Sequence, residues 1–218
     1  RAGAVMTGHI HTFPQGGPEW HDHRLGRVTA SRVADLMALT KSGPAASRKN
    51  YMADLIAERL TAQPRDSYTN AAMEWGTAHE AQARATYAFV TDCDVQEVGF
   101  IDHPTIPMAG CSPDGLIGAD GMLEIKCPNT ATHIDTLING TINSKYKKQM
   151  MFQMACAGRA WCDFVSFDPR LSPAKQLCIK RIFFDQASVL DIEKAVCEFQ
   201  QDLTNQVNVL NQTYPEAA

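Results

Sequence analysis

Basic charge is scarce in this chain. Among 218 residues, 20 Lys and Arg stand against 24 Asp and Glu, for a net charge of -4. A protein that coats nucleic acid without selectivity is usually basic, so that class is disfavoured. Any contact with a polyanion must then rest on a local basic lining. Paired cysteines are missing too. The seven cysteines, at 93, 111, 127, 156, 162, 178 and 197, are odd in number and form no CxxC pair. That argues against a disulfide framework or a zinc ribbon, and most of them read as small buried apolar residues. No apolar run approaches a membrane span and no signal-peptide pattern opens the chain, so a cytoplasmic protein without membrane association is expected. No repeat, low-complexity segment or interdomain linker is evident. What is present is ordinary globular composition, 44% hydrophobic and 20% charged, on a length suited to one domain with a substantial core.

Residues 1–18 hold Gly3, Gly8, Gly16, Gly17, Pro14 and Pro18, which predicts a flexible or loosely docked arm ahead of a single domain at 19–218. Thr29 or Ser31 can cap a helix with Val33, Leu36 and Met37 on one face. Tyr51, Leu55, Ile56 and Leu60 mark a second helix, closed by Gln63-Pro64. A third spans 69–89, with Trp75, Ala78 and Tyr87 inward. Residues 95–101, 161–167 and 177–184 read as strands, 144–156 as a helix, and 185 to about 209 as a closing amphipathic helix with Val189, Ile192, Val196 and Leu203 inward. This order suits an α/β fold, a mixed central β-sheet flanked by helices. His9-x-His11 and His21-x-His23 could hold a transition metal; exposed, unrelated histidines are the plainer reading.

The most informative stretch is Cys111 to Pro128, CSPDGLIGADGMLEIKCP. Leu123, Ile125 and Cys127 alternate with Glu124 and Lys126, the period of a strand, so Glu124 and Lys126 share a side. Gly115, Gly118 and Asp120-Gly121 suit a tight return. Asp114 can then end one strand of a hairpin while Glu124 and Lys126 stand on the next. Two carboxylates with open positions can hold a hard divalent ion against a phosphate, and a neighbouring lysine can orient a water or offset negative charge. The same three residues would also suit a solvated hairpin with a surface salt bridge. Arg24 and Ser31 offer a second feature, a guanidinium fork and a hydroxyl near a helix start, where an anion is favoured; a surface arginine and a helix cap are the alternative.

CSPDGL followed by LEIKCP resembles the YqaJ-like viral recombinase nucleases of the PD-(D/E)xK superfamily, the group of the phage lambda exonuclease. Further blocks in the same order carry the likeness: Trp20-His21 with Arg24-Leu25-Gly26 and Thr29-Ala30-Ser31, Trp75-Gly76 with Glu80, and Tyr146 with Gln149 ahead of Asp168-Pro169-Arg170. The resemblance implies a restriction-endonuclease-like core and a metal-dependent 5′-to-3′ exonuclease that digests one strand of linear double-stranded DNA, leaving 3′ overhangs for recombination by strand annealing. A structure- or site-specific endonuclease of the superfamily, or a non-catalytic DNA-end-binding module, is the alternative. Asp114 and Glu124, with the Ile125 carbonyl, would hold Mg2+, for which Mn2+ substitutes. Lys126 would assist the attacking water, Glu80 would act as a further acid and metal support, and Gln149 would help hold the water or the scissile nucleotide. Arg24, Ser31 and Ser112 would bind the 5′-phosphate, and Tyr146 is a further DNA-facing position. Met73 falls where the family presents an apolar wedge to the terminal base pair; core packing is its other reading. The family places another phosphate-binding arginine after Pro128, where this chain has Thr130, Thr132 and His133; His133 or a lysine from elsewhere is a stand-in. The resemblance also implies a ring-shaped homotrimer, a phage-type single-strand annealing protein as partner, and a phage or prophage origin in a bacterial cell.

Overall fold

The computed structural model describes residues 6–64 and 70–215. The chain begins with β1 (Ile10–His11), α1 (Pro18–Arg24), β2 (Val28–Thr29), a 3₁₀ turn (Ala30–Arg32) and α2 (Val33–Leu36). A small ribbon, β3 (Leu39–Thr40) and β4 (Gly43–Pro44), precedes α3 (Ala46–Thr61) and α4 (Ala71–Thr91). Then come β5 (Val95–Gln96), β6 (Phe100–Asp102), β7 (Ala109–Cys111), β8 (Gly115–Ile117) and β9 (Gly121–Lys126). The chain ends with α5 (Thr130–Asn139), α6 (Ser144–Ala157), β10 (Trp161–Phe167), β11 (Leu177–Phe183) and α7 (Gln186–Thr213). Among the described residues, no helix is long and apolar enough to cross a membrane.

Two sheets organise the fold. One is ordered β1-β6-β7-β2, the other β11-β10-β9-β8-β5. In the larger sheet β9 and β10 are parallel, with Phe164 opposite Glu124, and the remaining pairs are antiparallel. A parallel pair needs a crossover, which α5 and α6 supply. Both faces of the larger sheet are covered. Ala83 and Tyr87 of α4 pack on Leu123, Ile125, Val165 and Phe167. On the other side, α6 and α7 join Met122, Cys162 and Phe164 in the main core. Each such aliphatic or aromatic side chain contributes roughly 1.5–3 kcal/mol by leaving water. The fully buried Asp163 ties α4 to the sheet: Tyr87 donates to it at 2.7 Å and Arg181 grips both its oxygens at 2.8 Å.

The mixed sheet flanked by helices matches the expected class, and the helices and strands of residues 144–213 fall close to their expected places. The arm takes the docked one of its two expected states, and several other local expectations give way. Part of the arm is docked: Ile10 and His11 pair with Ile101 and Phe100, and the Gln15 side chain donates to the carbonyls of Val98 and Pro113 at 2.8 Å. Neither Thr29 nor Ser31 caps a helix; a 3₁₀ turn intervenes and their hydroxyls meet each other at 3.3 Å. Residues 95–101 divide between the two sheets. The expected third helix begins at Ala71, capped by Asn70, whose side chain accepts from Ala72 and Met73; its expected start at Thr69 lies outside the described residues. Ala78 is exposed, because the first half of α4 projects beyond the sheet and only its second half is packed.

Candidate active site

The β8–β9 hairpin sets the geometry. Asp114 does not end a strand; it stands just before β8, on the segment that leads out of β7 in the other sheet. Its amide donates to the Leu123 carbonyl at 3.2 Å, and its Oδ2 accepts from the Ile125 amide at 2.5 Å. Gly115 follows because a Cβ there would sit 2.3 Å from the Val95 side chain. These bonds fix the carboxylate of Asp114 beside β9.

Glu124 points to the α6 face of the sheet and is fully buried. The alternation along β9 puts Glu124 on the side that Gln149 and Gln153 of α6 cover, so the alternative of a solvated hairpin does not hold for it. Buried charge requires partners, and Glu124 has three. Lys126 and Gln149 meet Oε1, Gln149 at 2.7 Å, and Gln153 donates to Oε2 at 2.8 Å. Gln149 and Gln153 lie one helical turn apart, so they reach the carboxylate from one face of α6. Gln153 is the site residue that the motif reading passed over; its spacing from Gln149 was the available signal. Its own Oε1 is buried without a partner. Tyr146, one turn earlier, stacks on Phe164 with ring centroids 5.8 Å apart, and the Lys126 ammonium lies 5.2 Å from the tyrosine ring.

The electrostatics are those of two crowded acids with one built-in cation. Burial, then the nearby Glu124, pushes the Asp114 carboxyl well above its usual range. Burial opposes the charge of Lys126, but Glu124 and Asp114 outweigh it and hold the ammonium protonated. Glu80 stands on α4 at the groove wall, where Arg84 pairs with it at 2.5 Å and also donates to the Asp114 carbonyl at 2.8 Å. A divalent cation beside Asp114 and Glu124 would relieve their mutual repulsion, and their oxygens, with the groove-lining Ile125 backbone, are of the hard type such ions prefer. The donor set therefore fits.

A groove of about 860 Å³ opens over these residues, lined by Glu80, Ile125, Lys126, Tyr146 and Gln149. Met73 lines its rim and is 53% exposed, which rules out core packing. Arg170 also lines it, stacked 4.4 Å from the Trp75 ring and pinned by Asp168. A smaller adjoining cavity of about 150 Å³ is lined by Trp20, Arg24, Ser31, Ser112, Gln149 and Gln153. Ser31 and Gln149 line both. Ser112 Oγ accepts from Trp20 Nε1 at 2.8 Å and from Arg24 at 3.2 Å, and the Arg24 guanidinium lies 4.2 Å over the Trp20 ring. The helix behind Ser31 is only one short turn, so the cationic character here comes from Arg24 and not from a long helix dipole. His133 is no substitute for an arginine: it is fully buried and both ring nitrogens are engaged, by Ser166 at 2.7 Å and the Lys175 carbonyl at 2.8 Å.

Comparison with known proteins bears on this geometry. The family model of the YqaJ-like viral recombinase domain matches residues 19–160. The chain belongs to the YqaJ-like viral recombinase family. Its fold is shared with LHK-Exo, an alkaline exonuclease from Laribacter hongkongensis, at 51% identity over 90% of this chain and 97% of that one, with a TM-score of 0.84. A second LHK-Exo structure, in complex with dAMP, gives 0.85 with the same identity and coverage. A phage-related exonuclease from Haemophilus somnus 129PT shares the fold alone, at 13% identity over 84% of this chain and 96% of that one, TM-score 0.69. No curated protein sequence matches the chain. Membership supports a nuclease role in recombination for this YqaJ-like protein.

Proposed function

We propose that this protein is a magnesium-dependent 5′-to-3′ exonuclease that digests one strand of linear double-stranded DNA and leaves a 3′ single strand for annealing. The observation that supports it most is the meeting of Asp114, Glu124 and Lys126 behind a groove that Ile125 and Lys126 line and that adjoins the Arg24–Ser112 pocket. Asp114, Glu124 and the Ile125 carbonyl would hold the ion, with Mn2+ as a substitute. When bound, such an ion polarises a phosphoryl oxygen and lowers the pKa of a bound water. The chain's own residues do the rest. Lys126, held protonated, orients the attacking water and offsets charge that develops on the phosphate. Gln149 and Gln153 fix Glu124, and Gln149 reaches the substrate from the wall it shares with both cavities. Glu80 serves as a further acid from the groove wall.

Arg24, Ser31 and Ser112 take the 5′-phosphate, because a guanidinium and hydroxyls in a small cavity match a phosphate's acceptors. The related LHK-Exo was crystallised with dAMP, a nucleoside 5′-monophosphate, and we assign the same class of product to this chain. Met73, exposed at the rim, is placed to press on the terminal base pair, and Tyr146 lines the strand's path. The proposal extends to a homotrimeric ring around the duplex, a phage-type annealing protein as partner, and phage or prophage origin in a bacterial cytoplasm.

Digestion of end-labelled linear duplex tests this. Nucleotides should leave from 5′-phosphorylated ends when Mg2+ is present and stop when it is chelated, and closed circular DNA should stay intact. Cutting of the closed circle would overturn the exonuclease assignment, and release without a divalent ion would overturn the metal's part.

A further inference from the structure

We propose that His11, His23 and Asp102 form a binding site for a divalent transition-metal ion of the zinc class, separate from the acid pair, that clips the N-terminal segment to the core. His11 comes from β1 and His23 from the next element, α1, while Asp102 comes from β6, far along the chain. His11 Nε2 lies 2.8 Å from Asp102 Oδ2, and His23 Nε2 lies 3.2 Å from Asp102 Oδ1. One ligand atom from each residue falls within 4.8 Å of the other two. The two imidazole rings are 4.0 Å apart between centroids. The three side chains are 19–26% exposed, open enough for an ion to enter and dry enough to hold it.

Two imidazole nitrogens and one carboxylate oxygen make a donor set for zinc, cobalt or nickel. Magnesium, which prefers oxygen donors and its own waters, is ill suited to it. The proton balance closes without loss. Each neutral imidazole now donates its Nε2 proton to Asp102; on binding the ion that proton moves to Nδ1 and the Nε2 lone pair replaces the hydrogen bond, with no net proton released. Burial, aided by Arg27, holds His23 toward its neutral, ligating form. Arg27 also touches Asp102 Oδ1 at 3.2 Å, so the ion takes the side of the carboxylate that faces the imidazoles. His9, whose ring meets that of His11 edge-on at 4.5 Å, or a water completes the coordination.

The placement gives the ion a purpose. β1 is only two residues long, and α1 carries Trp20 and Arg24 to Ser112. An ion bound to His11 and His23 together fastens β1 and α1 to β6, and so steadies the arginine pocket from behind. The inference stands on the three ligands and does not require the reaction proposed above.

Zinc binding to the full chain, stripped of metal beforehand, tests it. One equivalent of Zn2+ should bind, resist excess Mg2+ and raise the melting temperature. Co2+ in its place should give the strong visible bands of four-coordinate nitrogen and oxygen ligation. His11→Gln and His23→Gln should each weaken zinc by about tenfold or more, and Asp102→Asn should do the same if either histidine variant misfolds. Asp114→Asn should leave this zinc in place. Absence of zinc binding, zinc binding indifferent to all three substitutions, or its loss in Asp114→Asn would each overturn the proposal.

Discussion

Replacing Asp168 with Asn isolates one ion pair at the edge of the groove. Asp168 is fully buried at the end of β10. Its oxygens accept from Arg170 Nε at 2.7 Å, Arg170 Nη2 at 3.0 Å and the Arg170 amide at 3.0 Å. Arg170 in turn reaches the Pro128 carbonyl at 3.3 Å and covers Trp75. One carboxylate thus joins the end of β10, the segment after β9 and the outer half of α4. Burial by itself would push this carboxyl up, but hydrogen bonds from Arg170 and Thr130 outweigh it and bring the pKa down to about 2 from the ordinary 3.8. A folded-state value below the unfolded one means stability that is present above pH 4 and lost as pH falls toward 2. At about 1.36 kcal/mol per unit, the shift amounts to roughly 2.4 kcal/mol. Arg170 is 45% exposed, and solvent screening reduces this to about 1–2 kcal/mol. For a chain of this size that is a fall in melting temperature of about 2–8 °C. Urea unfolding of both proteins from pH 7 to pH 3 reads it. The gap should be full at pH 6–7 and narrow steadily below pH 4. A gap that is independent of pH, or absent, would refute the argument that the charge of Asp168 does this work.

Two further substitutions probe the acid pair. Lys126→Ala should lower DNA cleavage by about 10²–10³-fold, the loss expected for one preorganised donor, while DNA binding measured without catalysis is retained; full activity in the variant would remove Lys126 from the reaction. Asp114→Asn should abolish cleavage yet stabilise the metal-free protein at pH 7, by about 0.5–2 kcal/mol. Burial and Glu124 hold this carboxyl above its ordinary value, so its ionisation costs the fold more as pH rises, and the amide escapes that cost. Calorimetry in EDTA should show the gain at pH 7 and none below pH 4; a destabilised variant at pH 7 would count against the reading.

The hairpin was legible because turn residues and strand alternation are local signals, and they place Asp114 near Glu124 without knowledge of the rest. Burial of Glu124 was not legible. Alternation along β9 suits a sheet with one wet face, and only the chain crossing through α6 covers that face with Gln149 and Gln153. Which of the arm's two expected states holds was not legible for a similar reason. Its glycines and prolines suggest mobility, while its order comes from partners distant in sequence, Val98 and Pro113 for Gln15, Phe100 and Ile101 for the strand. His133 looked available because it lies beside a loop; its ring is spent on Ser166 and Lys175. Arg170 sat in a block matched by resemblance, yet nothing local to it announces that it lines the groove.

The segment between the two sheets holds the arginine pocket and the acid pair in a fixed relation. Ser112 and Asp114 are two residues apart on the short link from β7 to β8, which bends at Asp114. The link is tied at both ends. Trp20 and Arg24 grip Ser112, Gln15 holds the Pro113 carbonyl, and Arg84 and Leu123 hold the backbone of Asp114. Across the gap, Gln149 borders both cavities while bonded to Glu124. An anion seated at Arg24 therefore lies at a distance from Asp114 that the backbone itself sets, with no hinge between them. A terminal phosphate in the pocket would present the next phosphodiester to the acids in a fixed register, which is what removal of one nucleotide at a time requires.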